Sequence, residues 1–315
     1  MKNRTLDDHL FGSGPKRILS LDGGGIRGIF TLQILNKIEA IVKAQLNDDS
    51  ATLSDYFDLI GGTSTGSIIA AGLSMGWPVS KLIDLYKDLG NEVFKKGITK
   101  GIIFAKFPAG PLEKALKENF GEKTTLGSPK LLTGLAIVSK RLDTGSPWVL
   151  TNNPRARYYD QRHGSTAIAN KEYLLWKLIR ASTAAPTFFE PEEIVISPDQ
   201  QGLFMDGGVS PHNNPALQLF LLATVDGYQL HWPVGESVLQ IVSVGTGRRD
   251  KVELPKLPLG KPAALDGITS LQSLMDDASV LNETILQMFS SSLTARQIDR
   301  EISTAMASGL PKLFS

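Results

Sequence analysis

The sequence predicts an α/β domain of three layers, α/β/α, built around a largely parallel sheet. Three observations predict it. Apolar runs of strand length alternate with segments of helical period along most of the 315 residues. Two of those runs, Arg17–Leu21 and Phe57–Ile60, pass through a glycine-rich turn straight into a helix. A third, Val238–Val244, is a continuous apolar stretch of the kind buried inside a parallel sheet, and it too ends in glycines, Gly245-Thr246-Gly247.

The elements follow in order. Residues 1–15 are polar, with Gly12, Gly14 and Pro15, and read as a surface-lying arm. The first strand ends in Asp22-Gly23-Gly24-Gly25-Ile26-Arg27-Gly28, and the next helix spaces Ile29, Leu32, Leu35, Ile38, Ile41 and Val42 at helical intervals. The second unit is Phe57–Ile60, then Gly61-Gly62-Thr63-Ser64-Thr65-Gly66, then an apolar helix through Met75. A helix over 78–94 starts at a proline and stops short of Gly97. Residues 97–111 read as a loop, with a lid or membrane-touching role as the alternative. A short helix over 112–120 precedes strands at 131–139 and 148–151, parted by an Asp143-Thr144-Gly145-Ser146 turn. A helix over 173–185 stops at Pro186. Strands at 194–197 and 203–205 flank an Asp199-Gln200-Gln201-Gly202 turn, and the second delivers Asp206-Gly207-Gly208. Residues 215–223 are helical and 248–262 a loop. Leu271, Leu274, Met275, Ala278, Leu281, Ile285 and Met288 mark the apolar face of a last helix. The organisation expected is an arm (1–15), a catalytic domain (16–247) and a loop with a helical segment packed on it (248–315). The apolar ending Leu310–Ser315 leaves room for a terminus beyond it.

Composition narrows the function. A formal charge of +1 does not suit a nucleic-acid polymer as partner. The absence of cysteine removes disulfides, thiolate catalysis and cysteine zinc sites. No run has the length of a membrane span, so a membrane would be met from the aqueous side. No cluster has the spacing of a calcium loop, and neither a metal nor an organic cofactor is expected.

Gly62-x-Ser64-x-Gly66 between strand and helix is a nucleophile elbow. The turn is tight enough that the nucleophile's neighbours must be small. A helix N-terminus beneath the serine offers free N–H groups to a developing anion. Gly23-x-Gly25-x-x-Gly28 has two readings. As a dinucleotide fingerprint it needs an acid at the tip of a second strand about twenty residues on. Only Asp48 and Asp49 stand there, in a polar run that looks like a helix-ending loop. As an oxyanion hole, the glycines let backbone N–H groups approach a substrate oxygen. Ser64 also needs a base. Of four histidines, His9 lies in the arm, His163 in a polar loop and His231 beside Trp232-Pro233; His212 is the one candidate. The loop from Asp206 to His212 is too short to seat the acid behind the ring. Asp206 acting on Ser64 directly is the other option, with its basicity tuned by burial or hydrogen bonds.

Taken in order, Asp22–Gly28, Gly62–Gly66 and Asp206–Gly208 resemble the motifs of the patatin-like phospholipases. Ser182-Thr183-Ala184-Ala185-Pro186-Thr187-Phe188-Phe189 and Ser243-Val244-Gly245-Thr246-Gly247 do so too. The resemblance spans about Lys16 to Gly247. It implies the patatin-like fold and a Ser–Asp dyad without histidine: Ser64 the nucleophile, Asp206 the base, Gly24 and Gly25 the oxyanion donors, and Arg27 facing the substrate phosphate. The opening motif and Ala295–Glu301 further resemble bacterial effector phospholipases of anti-phage systems, some of them switched on by cyclic nucleotides. The expected partners are then phospholipid, a cyclic-nucleotide activator and further copies of the chain. The expected place is the cytoplasm, in peripheral contact with the inner membrane face. The competing functions are a dinucleotide-binding oxidoreductase and a storage or scaffold protein with idle chemistry.

Overall fold

The computed structural model describes residues 4–90, 109–186, 188–247, 263–292 and 311–315. Its strands are β1 (Lys16–Leu21), β2 (Leu59–Thr63), β3 (Gly134–Arg141), β4 (Pro147–Thr151), β5 (Glu192–Ser197), β6 (Gln200–Asp206) and β7 (Leu239–Val244). They form one sheet in the order β5-β6-β3-β2-β1-β7, with β4 also paired to β3. The four strands β3, β2, β1 and β7 are mutually parallel. The flank is antiparallel: β4 and β6 both run against β3, and β5 against β6. The short turns at 143–146 and 199 account for two of these pairings, because a tight connection can only join antiparallel strands.

The helices are α1 (Leu6–Phe11), α2 (Gly28–Leu46), α3 (Leu53–Tyr56), α4 (Thr65–Ser74), α5 (Val79–Leu89), α6 (Ala109–Phe120), α7 (Leu175–Ser182), α8 (Ala216–Thr224) and α9 (Ala263–Phe289). Strand alternation divides them between two faces. Leu19 and Leu21 of β1, Ile60 of β2 and Leu135 and Ile137 of β3 join the core under α2, α4, α5 and α7. Ile18, Leu59 and Ala136, one residue out of phase, join the core under α1 and α8. These are the three layers expected. α4 is buried along its whole length, so the elbow helix is a central strut.

Several expectations change. The supposed arm contains α1, closed by a capping box in which Thr5 and Asp8 bond each other's backbone amides. Leu10 is buried, and His9 Nδ1 lies 3.0 Å from the buried Asp58. The capping box and the burial of Leu10 outweigh the polar composition. β7 is only part-buried, because it ends the strand order, with β1 on one side and, among the described residues, only Ser315 bonded to its backbone on the other. On α9 the expected face is rotated. Leu274 and Leu281 are exposed, while Asn282 and Leu286 are buried. Asn282 Nδ2 donates to the carbonyls of Pro211 and Asn214, and that polar clamp sets the helix's rotation. Ile41 of α2 is likewise exposed. The sequence readings at 91–108, 248–262 and Ala295–Glu301 lie outside the described residues.

Candidate active site

The tips of β1, β2, β6 and β7 converge. β2 hands over to α4 through Ser64, whose φ of 54° and ψ of −125° are strained for a residue with a side chain. A Cβ at Gly62 would lie 2.1 Å from the Gly66 carbonyl oxygen, and one at Gly66 would lie 2.1 Å from that of Leu21. The smallness expected of the elbow's neighbours is therefore real, and Gly66 seats the elbow against the end of β1. Ser182, the last residue of α7, holds the turn from beneath. Its Oγ accepts the Ser64 N–H at 2.9 Å and donates to the Val138 carbonyl at 2.5 Å. Tyr86 of α5 donates to the Thr65 carbonyl at 2.9 Å.

Ser64 Oγ donates to Asp206 Oδ2 at 2.6 Å. The other carboxylate oxygen of Asp206 accepts the Gly208 N–H at 2.7 Å. Burial pushes the Asp206 carboxyl up to about 6, against those two hydrogen bonds, which pull it down. No hydrogen bond joins the His212 ring to either residue, and its Nδ1 is buried without a partner. Burial lowers the affinity of that ring for a proton. The backbone of His212 does the local work: its carbonyl accepts from Thr63 Oγ1 at 2.6 Å. His9 belongs to the Asp58 cluster described above, and His231 is half-exposed.

The first glycine turn lies against the same centre. Its Gly23 N–H is already engaged with the Asn213 carbonyl at 3.0 Å, and its Gly23 carbonyl accepts from Thr246 Oγ1 at 3.2 Å. The N–H groups of Gly24 and Gly25 have no acceptor among the described residues. The reason for glycine differs from the expected one. A Cβ at Gly24 would meet Thr246 Oγ1 at 2.2 Å, so close packing against the tip of β7 forbids it. A Cβ at Gly25 would meet nothing within 4 Å, but its φ of +57° favours glycine. Arg27 donates from Nε to the Gly24 carbonyl at 3.5 Å and from Nη1 to that of Gly247 at 3.3 Å, tying the turn to β7.

Behind the turn is a cavity of about 310 Å³, lined by Asp22, Arg27, Asn213, Thr246 and Glu283 among others, and not by Ser64 or Asp206. Asp22 is buried there, with Oδ1 unpaired. Burial first, and Glu283 second, hold its carboxyl well above the usual carboxylate range. The dinucleotide reading loses its acid. Asp48 lies in the turn after α2, bonding the Ser50 N–H at the far end of a 19-residue helix. At 1.5 Å per residue that is about 28 Å from the glycines.

A profile of the patatin-like phospholipase family matches residues 19–220. The chain is 32% identical over 279 residues to an intracellular phospholipase A2 of Caenorhabditis elegans, covering 86% of this chain and 23% of that protein. It is 29% identical over 246 residues to a cGAMP-activated phospholipase of Escherichia coli, covering 76% of this chain and 65% of that one. It is 31% identical over 227 residues to a cGAMP-activated phospholipase of Vibrio cholerae, covering 69% and 59%. The chain thus spans less than two thirds of the length of these relatives. The matched residues run from β1 into α8 and take in both glycine turns, the elbow and Asp206, so the chain belongs to the patatin-like phospholipase family.

Proposed function

We propose that this chain is a serine acyl hydrolase of the phospholipase A type, cleaving acyl esters of membrane phospholipids. The observation that carries the reading is the 2.6 Å contact between Ser64 Oγ and Asp206 Oδ2 on an elbow, beside a glycine turn with two unpaired amides. Asp206 takes the Ser64 proton as Oγ attacks the ester carbonyl carbon. The negative charge then grows on the carbonyl oxygen, where the Gly24 and Gly25 N–H groups stabilise it. Asp206 returns the proton to the departing glycerol oxygen, releasing a lysophospholipid. In the second half Asp206 takes a proton from water as the water oxygen attacks the acyl-enzyme carbonyl, then returns that proton to the departing Ser64 Oγ, and the fatty acid leaves with Ser64 restored. A carboxylate titrating near 6 is a better base than a free aspartate and is still ionised at neutral pH.

Arg27 supplies the cation for the substrate phosphate. Its Nε and Nη1 are spent on backbone carbonyls, which leaves Nη2 for a phosphate oxygen. A cyclic nucleotide is the activator on this reading, supported by two relatives named for cGAMP activation. Contact with the bilayer is peripheral, from the cytoplasmic side. Among the described residues no helix is long and apolar enough to cross a membrane.

A fluorophosphonate probe with peptide mapping tests the nucleophile, and mass spectrometry of lipids after incubation with membranes tests the reaction. Ser64 should carry the label, and Ser64→Ala should stop release of fatty acid and lysophospholipid. Label on another residue, or release at even a tenth of the wild-type rate in Ser64→Ala, sinks the assignment.

A further inference from the structure

α2 is apolar on two sides. Its inner face buries Leu32, Leu35 and Val42. Its outer face also carries large hydrophobic residues: Phe30 is 59% exposed, Ile34 47% and Ile41 63%. These positions, with Lys37, fall at i, i+4, i+7 and i+11, so they make one stripe along the helix. Ile26 continues the stripe backwards, 45% exposed, in the 3-10 turn that directly follows Gly24. The stripe therefore starts at the glycine turn that would hold the oxyanion.

Charge says what the stripe would meet. The exposed residues of α2 are Phe30, Gln33, Ile34, Asn36, Lys37, Ala40, Ile41, Ala44 and Gln45, and the one formal charge among them is Lys37. The helix's single acid, Glu39, is buried and accepts the Val79 N–H at 3.0 Å. Exposed Arg27 adds a second cation at the stripe's start. An apolar stripe whose charges are the cations Lys37 and Arg27 suits the interface of an anionic bilayer, where the side chains sit below the headgroups and the cations beside them. The exposed leucines of α9 make the contrast. Leu274 and Leu281 share a face with the exposed acid Asp277, next to Asp276, and those carboxylates would repel the same surface.

We infer that the outer face of α2, from Ile26 through Phe30, Ile34 and Lys37 to Ile41, is the surface on which this protein docks to an anionic phospholipid bilayer. The inference rests on the lipid hydrolase reading and adds to it the orientation of the chain. α2 lies in the plane of the interface, and the oxyanion turn at its start is brought to the lipid esters without any helix entering the membrane.

The test uses the full chain carrying Ser64→Ala, so that the lipid stays intact. Binding is measured by co-sedimentation with phosphatidylglycerol-containing vesicles and with pure phosphatidylcholine vesicles. The chain should bind the first more strongly than the second. Phe30→Gln with Ile34→Gln keeps good helix formers at exposed positions, so melting and circular dichroism should not change, while partitioning should fall at least about tenfold. Lys37→Gln should narrow the preference for the anionic vesicles. Leu274→Gln with Leu281→Gln should bind as before. With Ser64 restored, Phe30→Gln with Ile34→Gln should keep kcat/KM on a water-soluble short-chain ester within about twofold and lose hydrolysis of vesicle lipid. The docking surface is overturned if the parent chain binds neither vesicle, if the α2 variant still binds, or if the α9 variant loses as much. It is also overturned if light scattering shows the α2 variant splitting a dimer with no change in vesicle binding, which gives the stripe to a second copy. A wild-type chain inactive on the soluble ester both with and without added cGAMP would refute the hydrolase reading separately, since vesicle binding is measured without turnover.

Discussion

Asp206 and Ser139 are register partners, the last residue of β6 facing a middle residue of β3. The neighbouring residue of β3, Val138, pairs with Thr63, the last residue of β2. Two strands that run in opposite directions thus end against adjacent positions of a third. Ser64 follows Thr63 directly, and so meets a carboxylate 142 positions away in sequence. β3 contributes no reacting group, yet its register sets the distance between the two residues expected to react.

The direct Ser64–Asp206 contact favours a dyad over a triad. Asp206→Asn should reduce turnover of a soluble ester by about a thousandfold or more. His212→Gln should cost no more than a few-fold, through its loop. Paired kinetics and melting curves decide. A large loss in both variants, with folds intact, would restore His212 as the base.

The raised Asp206 carboxyl gives a pH dependence with two signs. Activity needs the carboxylate, so kcat/KM should fall about tenfold per pH unit below an inflection near 6. Stability runs the other way. The folded value of about 6 lies above the ordinary aspartate value of 3.8, so proton binding stabilises the fold fully below 3.8 and that contribution is lost as pH rises through 6. The buried carboxylate is then a cost at neutral pH. Asp206→Asn removes it, and should be more stable at neutral pH by up to roughly 3 kcal/mol, with the gain vanishing below about pH 4. Denaturant melts across that range check it. A gain independent of pH would deny that the carboxylate is strained.

Ser182 should matter through geometry. Ser182→Ala leaves the Ser64 N–H buried without its acceptor and takes one donor from the Val138 carbonyl, a loss of about 1–3 kcal/mol. kcat should drop more than KM rises, because the strained elbow loses its anchor. Ser182→Thr, which keeps the hydroxyl, should recover part of both. Stability loss with unchanged kcat would make Ser182 a packing residue only.

The two free glycines should fail differently. Gly24→Ala collides with Thr246, and turnover should fall by about a hundredfold as the turn shifts. Thr246→Gly in the same chain should recover part of that loss. Gly25→Ala meets open space and bears only the cost of its backbone angle, about 1–2 kcal/mol, so its loss should be nearer tenfold. Single and double variants in one soluble-ester assay measure all three. No rescue by Thr246→Gly would show that the added methyl harms the site in some other way.

Much of this was legible in the chain itself. Gly62 and Gly66 bracket a serine between a strand and a helix, and local sterics make that pattern nearly self-reading. Asp22–Gly28 is equally local. α1 was also legible, in the Thr5 and Asp8 pair ahead of Leu10, but the surrounding polar residues masked it. The rotation of α9 was not. Its leucines follow helical spacing, yet Asn282, a polar residue, faces inward because two loop carbonyls wait there. Periodicity reports which residues could be buried, and a buried hydrogen-bond acceptor can overrule it. Ser182 was visible only as part of a resemblance, since its partners Ser64 and Val138 lie 118 and 44 positions away.

The sequence by itself determined the strand–turn–helix units and the residue types at their tips, because these depend on contacts among near neighbours. It named Ser64, Asp206 and the glycines without fixing how they meet. Only the tertiary structure decided that Asp206 touches Ser64 while the His212 ring touches neither. Only it decided that Gly23 is occupied by Asn213 while Gly24 and Gly25 stay open, and that α2 keeps an apolar face outside. The physical reason is register: which residue of β3 stands opposite Asp206, and which of β1 opposite β7, is fixed by hydrogen bonds and packing summed over the whole sheet, and no local stretch of chain contains that sum.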